Sequence, residues 1–254
     1  MSLRLNQISL AYGSRILVRE ASASLPAGSL TALIGRNGSG KSTLLRVVAG
    51  LDEPAGGSVS LCERPLSDRS PRERAAVVSF VTTEKIRIAD LTSEEVVALG
   101  RAPYTDWTGR LRPEDRALVA RALELVGMEA FARKPLDRMS DGECQRVMIA
   151  RALAQDTPVI LLDEPTAFLD LPNRYELAML LRRLAHEEGK CILFSTHDID
   201  VALGFCDFVM LIDAPSLCCL PAAGMARSGR IERLFAGSGI RFDAATGRIR
   251  SADE

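Results

Sequence analysis

At 254 residues, with 47% hydrophobic and 26% charged side chains, the chain is long enough for one large domain or a domain with an insertion, and too apolar to be disordered. A formal net charge of −1 excludes the overall basic footprint of a nucleic-acid binder. Six scattered cysteines with no C-x-x-C pair and two histidines argue against a zinc site and for free thiols in a reducing compartment, and neither a leader-like start nor a bilayer-length apolar run is visible.

Leu3, Leu5, Ile8 and Leu10, with Arg4, Asn6 and Ser9 between them, predict a half-buried strand that turns at Gly13-Ser14 into Ile16-Leu17-Val18. Tyr12 sits at that turn, where its ring either stacks on adenine or is an ordinary core or surface tyrosine. The run Leu30-Thr31-Ala32-Leu33-Ile34 then reads as a buried strand, and Leu44-Leu45-Arg46-Val47-Val48 repeats at helical spacing. Between them lie Gly35, Arg36, Asn37, Gly38, Ser39, Gly40, Lys41, Ser42 and Thr43. Strand, glycine-rich turn, helix is the context a phosphate loop requires. Glycines leave no Cβ between the backbone and a bound anion, so N–H groups converge on phosphate oxygens at a helix N-terminus. Lys41 then reaches the β- and γ-phosphates of a nucleotide, and the Ser42 hydroxyl ligates Mg²⁺.

The turn-rich stretch 50–58 leads to Val59-Ser60-Leu61, and residues 75–81 (AAVVSFV) predict a second buried strand with the polar exit Thr82-Thr83-Glu84-Lys85. From Leu91 to about Lys134 the pattern turns helical, first over 94–99 and then from Pro113 to Gly127. Ser140 and Glu143 have capping-box spacing before a helix over 144–154. Val159-Ile160-Leu161-Leu162 is an apolar strand ending in Asp163 and Glu164, at the sheet edge where open α/β proteins bind ligands. A helix over 176–187 precedes the strand 191–196, which ends at His197-Asp198. The stretch 208–212 completes the strand set, and 240–249 predicts a terminal hairpin. The fold class that follows is α/β: a mixed, mainly parallel sheet with helices on both faces, an antiparallel β lead-in and an inserted helical subdomain. The single domain then divides into a nucleotide-binding core over about 1–90 and 155–254 and a helical subdomain over about 91–154.

With these motifs in this order, the chain resembles the nucleotide-binding subunit of ATP-binding cassette (ABC) transporters, a P-loop NTPase family, over roughly Leu3 to Ile212. By that resemblance Gly35 to Ser42 is the Walker A loop and Leu162-Asp163-Glu164 closes Walker B. Met139 to Glu143 is the signature motif, Ala167-Phe168-Leu169-Asp170 the D-loop, and His197 the switch histidine. The resemblance implies ATP and Mg²⁺ as cofactors, with Mg²⁺ held by Ser42 and, through water, by Asp163. It implies Lys41 as the phosphate-binding cation, Glu164 as general base and His197 as a γ-phosphate contact. Ser140, Asp141, Gly142 and Glu143 would act on the nucleotide of a second copy of the chain. Also implied are an ATP-dependent head-to-tail homodimer, integral-membrane permease subunits as partners, an indirect link to a substrate-binding protein, and a peripheral place on the cytoplasmic face of the inner membrane, with no nucleic-acid partner.

Two departures from the family pattern stand out. Thr83, beside Glu84, falls where the family carries Gln, so its role toward Mg²⁺ is altered while a coupling role is expected to remain. Asp141 and Glu143 replace the usual Gly and Gln, adding negative charge that suits a helix N-terminus but not a nearby phosphate. The stretch from Leu91 to Tyr104, with Leu169-Asp170-Leu171-Pro172, looks like the importer branch for ferric siderophores, haem and cobalamin. A soluble cassette ATPase acting in assembly, for instance of iron–sulfur clusters, is the alternative. Ser140 and Gly142 argue against another P-loop enzyme such as a kinase.

Overall fold

In a computed structural model, residues 2–84, 90–167, 169–235, 239–243 and 248–251 are described. The predicted lead-in is a long hairpin of β1 (Ser2–Tyr12) and β2 (Arg15–Pro26), whose apolar positions alternate toward one face. After β3 (Leu30–Gly35) and α1 (Lys41–Val48), β4 (Gly56–Leu61) returns to pair antiparallel with β1, and β5 (Arg64–Pro65) closes that sheet in the order β2-β1-β4-β5.

The next stretch departs from expectation. Residues 71–75 form α2 (Pro71–Ala75), and the strand β6 (Val78–Val81) starts only afterwards. Ser70 and Glu73 make a reciprocal capping box with Pro71 at the first helical position, a local nucleus that outcompetes the β-branched run behind it.

Helix α3 (Ser93–Ala98) continues as a 3₁₀ turn over Leu99–Tyr104 and is followed by α4 (Pro113–Leu125) and α5 (Asp141–Ala154). The 3₁₀ turn lies hard against the end of α5: a Cβ on Gly100 would sit 2.2 Å from the Arg151 carbonyl. Beside it the buried Arg101 guanidinium donates to Asp115 at 2.9 Å and to the Ala154 carbonyl at 2.8 Å, so this buried charge is both paired and hydrogen-bonded.

The chain then runs through β7 (Val159–Leu162), α6 (Leu171–Glu187), β8 (Cys191–Ser195), α7 (Ile199–Phe205) and β9 (Phe208–Asp213). Helix α6 begins five residues before the predicted Glu176, because Asp170 caps it and Pro172 occupies its first turn, where no N–H is needed. Nor is β9 the last strand of the main sheet. The strand β10 (Ser216–Pro221) pairs antiparallel with it, followed by α8 (Ala222–Ala226), α9 (Arg230–Leu234) and the predicted terminal hairpin, β11 (Ile240–Asp243) with β12 (Arg248–Ser251).

The main sheet has the order β10-β9-β3-β8-β7-β6, parallel except for β10. Its central strands are buried on both faces, which is why they read as unbroken apolar runs. The two-residue period still sorts their side chains. Leu30, Ala32 and Ile34 join the core shared with α3 to α7, whereas Leu33 joins Leu161, Leu193, Met210 and Ile212 against α1 and the antiparallel sheet. Helix α1 is thus clamped between two sheets, and the loop that precedes it has a rigid floor. Among the described residues no helix is long and apolar enough to cross a membrane.

Candidate nucleotide site

The loop from Gly35 to Thr43 leaves the carboxyl end of the central strand β3 and enters α1. Two of its glycines are required by contact. A Cβ on Gly35 would come within 2.6 Å of Ser39 Oγ and 2.7 Å of the Ile212 carbonyl, and Gly40 caps α1 at φ 105°, a left-handed angle, with Leu17 3.0 Å from where its Cβ would be. The resulting cavity is about 440 Å³ and is lined by Tyr12, Arg15, Leu17, Asn37, Gly38, Gly40, Lys41, Ser42, Thr43 and Glu164. Tyr12, whose role the sequence left open, lines this cavity with its ring otherwise exposed.

Lys41 is 6% exposed, and its ammonium donates to the Gly35 carbonyl at 3.2 Å. Burial pushes its pKa below the usual 10.5, against the opposing pull of Glu164 and Asp163. A buried cation held by one carbonyl and two nearby carboxylates is primed to accept an anion.

The carboxyl ends of β7 and β8 supply the other wall. Asp163 is buried and accepts a 2.6 Å hydrogen bond from Ser195 Oγ, while the Glu164 N–H donates to the same Oγ at 2.8 Å. Glu164 itself has φ 47°, a left-handed conformation uncommon for a residue with a Cβ and frequent at functional sites. Its carboxylate lies 2.7 Å from His197 Nε2. The structure therefore brings Lys41, Ser42, Asp163, Glu164 and His197 into one hydrogen-bonded and electrostatic neighbourhood.

Other predicted residues lie elsewhere. Gly35, Arg36 and Ser39 belong to the loop but do not line the cavity. The Arg36 guanidinium donates to the carbonyls of Leu234 and Arg233 at 2.9 and 3.0 Å, tying the loop to the end of α9. Ser39 is buried, and its Oγ has no hydrogen-bond partner among the described residues. Thr83 is half-buried and Glu84 exposed beyond β6; neither lines the cavity. Lys85 and Phe168 lie outside the described residues.

Ser140, Asp141, Gly142 and Glu143 form the start of α5, and none lines the cavity either. Ser140 and Glu143 make the predicted capping box, and the Glu143 carboxylate also takes Lys134 Nζ at 3.0 Å. The added acid of Glu143 is thus spent on its own helix N-terminus and on a lysine. Asp170 caps α6, accepting the Asn173 N–H at 3.2 Å, and Gly142 faces Leu169 and Asn173 across that junction.

Three contributors were not predicted. Arg15 and Leu17 enter from β2, and Ser195 ties the Asp163 carboxylate to the Glu164 backbone. The available signal for Ser195 was a hydroxyl residue closing an otherwise apolar strand, one step ahead of Thr196-His197.

A family model described as "ABC transporter" matches residues 18–167, more than half of the chain. The chain belongs to the ABC transporter family. As a member it is an ATP-binding cassette ATPase, and the phosphate loop, the β7 strand end and the α5 cap all lie within the matched residues. The cassette is 38% identical over 211 residues to the iron(3+)-hydroxamate import ATP-binding protein FhuC of Bacillus subtilis, covering 83% of this chain and 78% of the relative. It is 37% identical over 206 residues to the achromobactin transport ATP-binding protein CbrD of Dickeya dadantii, covering 81% and 77%. In structure it is similar to the dimeric cassette MJ0796 in a post-hydrolysis state bound to ADP and Pi, with TM-score 0.73, 29% identity and coverage of 87% and 98%. A metal-chelate type ABC transporter in an inward-facing conformation shares the fold, with TM-score 0.82, 24% identity and coverage of 92% and 89%.

Proposed function

We propose that this cassette is the ATP-hydrolysing subunit of an importer for ferric siderophores or related chelates. The observation that carries the chemistry is the Glu164 carboxylate: it lines the cavity of Lys41, is oriented by His197 at 2.7 Å and is fixed through its backbone to Ser195. A carboxylate so placed can order and deprotonate a water beside the γ-phosphate. Lys41 and the loop N–H groups hold the phosphates, and Tyr12 offers its ring to the adenine. The hard oxygens of Ser42 and Asp163 suit Mg²⁺, which retains waters and binds through one or two protein oxygens plus substrate phosphates. When bound, Mg²⁺ neutralises charge on the transferring phosphoryl group.

The importer reading draws on the relatives, which are named for hydroxamate, achromobactin and petrobactin import or transport. Those names favour it over a soluble assembly factor. In this reading the cassette sits peripherally on the cytoplasmic face of the membrane against permease subunits. The core over about 1–90 and 155–254 binds ATP, and the helical subdomain over about 91–154 presents Ser140 and Gly142 to the nucleotide of a second copy. Thr83 and Glu84 lie where coupling to the permease is expected.

The test is the oligomeric state of Glu164→Gln, measured by light scattering with and without ATP and Mg²⁺, beside wild-type hydrolysis. The amide keeps the acceptor for His197 but removes the base. An ATP-dependent shift from monomer to dimer with hydrolysis abolished supports the reading. A persistent monomer that still hydrolyses ATP removes Glu164 as the base and the shared-site dimer with it.

A further inference from the structure

A second, charged cavity lies at the far edge of the main sheet. The phosphate loop leaves the carboxyl end of β3, whereas Tyr104 Oη donates to the Gln155 carbonyl at 3.0 Å, and Gln155 Nε2 donates to the Ala75 and Val78 carbonyls at the amino end of the parallel strand β6. The chain that follows Tyr104 is therefore held opposite the nucleotide. There a cavity of about 400 Å³ is lined by Asp106, Arg110, Leu111, Arg112, Pro113 and Arg116. Three guanidiniums in one cavity are conspicuous in a chain of net charge −1.

Of the nearby acids, Asp106 and Asp115 are engaged elsewhere, and Glu114, exposed in the first turn of α4, does not line the cavity. Asp106 folds back on its own loop, accepting the Thr108 N–H at 2.9 Å and the Thr108 hydroxyl, and Thr108 holds its carboxyl below the usual carboxylate range. Asp115 is buried and committed to Arg101 at 2.9 Å and to the Arg112 N–H at 3.0 Å. Arg112 lies near both carboxylates, but Arg110 and Arg116 are exposed and have no side-chain partner among the described residues. One residue beyond Asp106 stands Trp107, 96% exposed. An indole left wholly in water is costly, and beside unpaired arginines it has the pattern of a membrane-interface anchor: an amphipathic ring at headgroup level with cations for lipid phosphates.

We propose that Trp107 with Arg110, Arg112 and Arg116 seats the cassette directly on an anionic phospholipid surface, the guanidiniums taking lipid phosphates in paired hydrogen bonds and the indole entering the headgroup layer. A single shallow contact of this kind is weak and reversible, so it orients the cassette and does not replace a permease. It does not depend on the importer reading, since it concerns the isolated chain.

Trp107 is the only tryptophan in the sequence, so its emission reports the contact directly. With vesicles of equal parts phosphatidylglycerol and phosphatidylcholine, the purified chain should bind and its emission should shift to the blue. Arg110→Ser with Arg116→Ser should weaken vesicle binding by about twenty-fivefold, at about fivefold per arginine, while ATP hydrolysis stays at the wild-type rate. Raising salt should detach the unmodified chain, which reads the same charge dependence without any substitution. The proposal is overturned by the absence of a blue shift on these vesicles, or by an equal shift on pure phosphatidylcholine. Unchanged affinity in the double variant also overturns it, as does the same shift with inorganic phosphate alone, which would make this a free-anion site.

Discussion

The Ser195 hydroxyl is used twice, donating to Asp163 at 2.6 Å and accepting the Glu164 N–H at 2.8 Å, so one side chain fixes the Asp163 carboxylate and the backbone that carries Glu164. Its removal leaves a buried carboxylate short of a charge-assisted hydrogen bond and a backbone donor short of its acceptor, each worth about 1–3 kcal/mol. Ser195→Ala should therefore lower kcat for ATP hydrolysis by about ten- to a hundredfold. Because Ser195 does not line the cavity, KM for ATP should stay near wild type, and Ser195→Thr should recover most of the loss. Steady-state kinetics on the three proteins decide it, and an unchanged kcat in Ser195→Ala removes the positioning role. At this scale the loop was legible because strand, glycines, lysine and helix are consecutive in the sequence. Ser195, Arg15 and Leu17 were not, because they reach the site from other strands and only the sheet order brings them there. Arg36 shows the converse: it sits inside the motif, yet its guanidinium serves α9.

The start of α5 joins a local signal to a tertiary one. Glu143 closes the capping box with Ser140 and also pairs with Lys134, and the Ser140 N–H, followed by Lys134, holds its carboxyl below the usual 4.5. A depressed carboxyl pKa in the fold contributes stability that is fully present above the unfolded value and is lost as pH falls through the folded one. Glu143→Ala should accordingly cost about 1 kcal/mol at neutral pH, a drop of about 2–4 °C in the unfolding midpoint. That gap should close as pH is lowered from 4.5 through the depressed value, where wild-type Glu143 is protonated too. Thermal melts of both proteins across that window check the sign, and a gap that persists in acid would place the effect in packing. Elements with such bounded local cues, α5 and the hairpin β1–β2, were legible in the sequence. The start of α6 was hidden because Pro172 looks like a stop signal and is in fact a first-turn residue, and β10 because Pro215 interrupts its approach and its burial is only partial. In both cases the deciding partner is a neighbour in the chain, Asp170 for α6 and β9 for β10.

At the scale of the whole molecule, the cavity of Lys41 is open on one side, and the cap at Ser140 belongs to a helix that contributes nothing to its lining. One chain thus presents a phosphate-holding half and, elsewhere, a helix N-terminus whose serine Oγ, among the described residues, accepts only from its own cap. If two copies join head to tail, each nucleotide meets Lys41 of one and Ser140 of the other, the reciprocal arrangement of an isologous contact about a twofold axis. Two inactive variants should then repair each other. Lys41→Ala removes the cation, and Ser140→Asn removes the hydroxyl while retaining a side chain able to cap α5. Each alone should hydrolyse almost no ATP. Mixed in equal amounts, half of the dimers carry both variants, and in those one of the two sites pairs an intact loop with an intact cap. Activity should return to about a quarter of wild type. A mixture no more active than its components would mean that loop and cap serve the nucleotide within a single chain, and the head-to-tail arrangement would fall even if a dimer were seen.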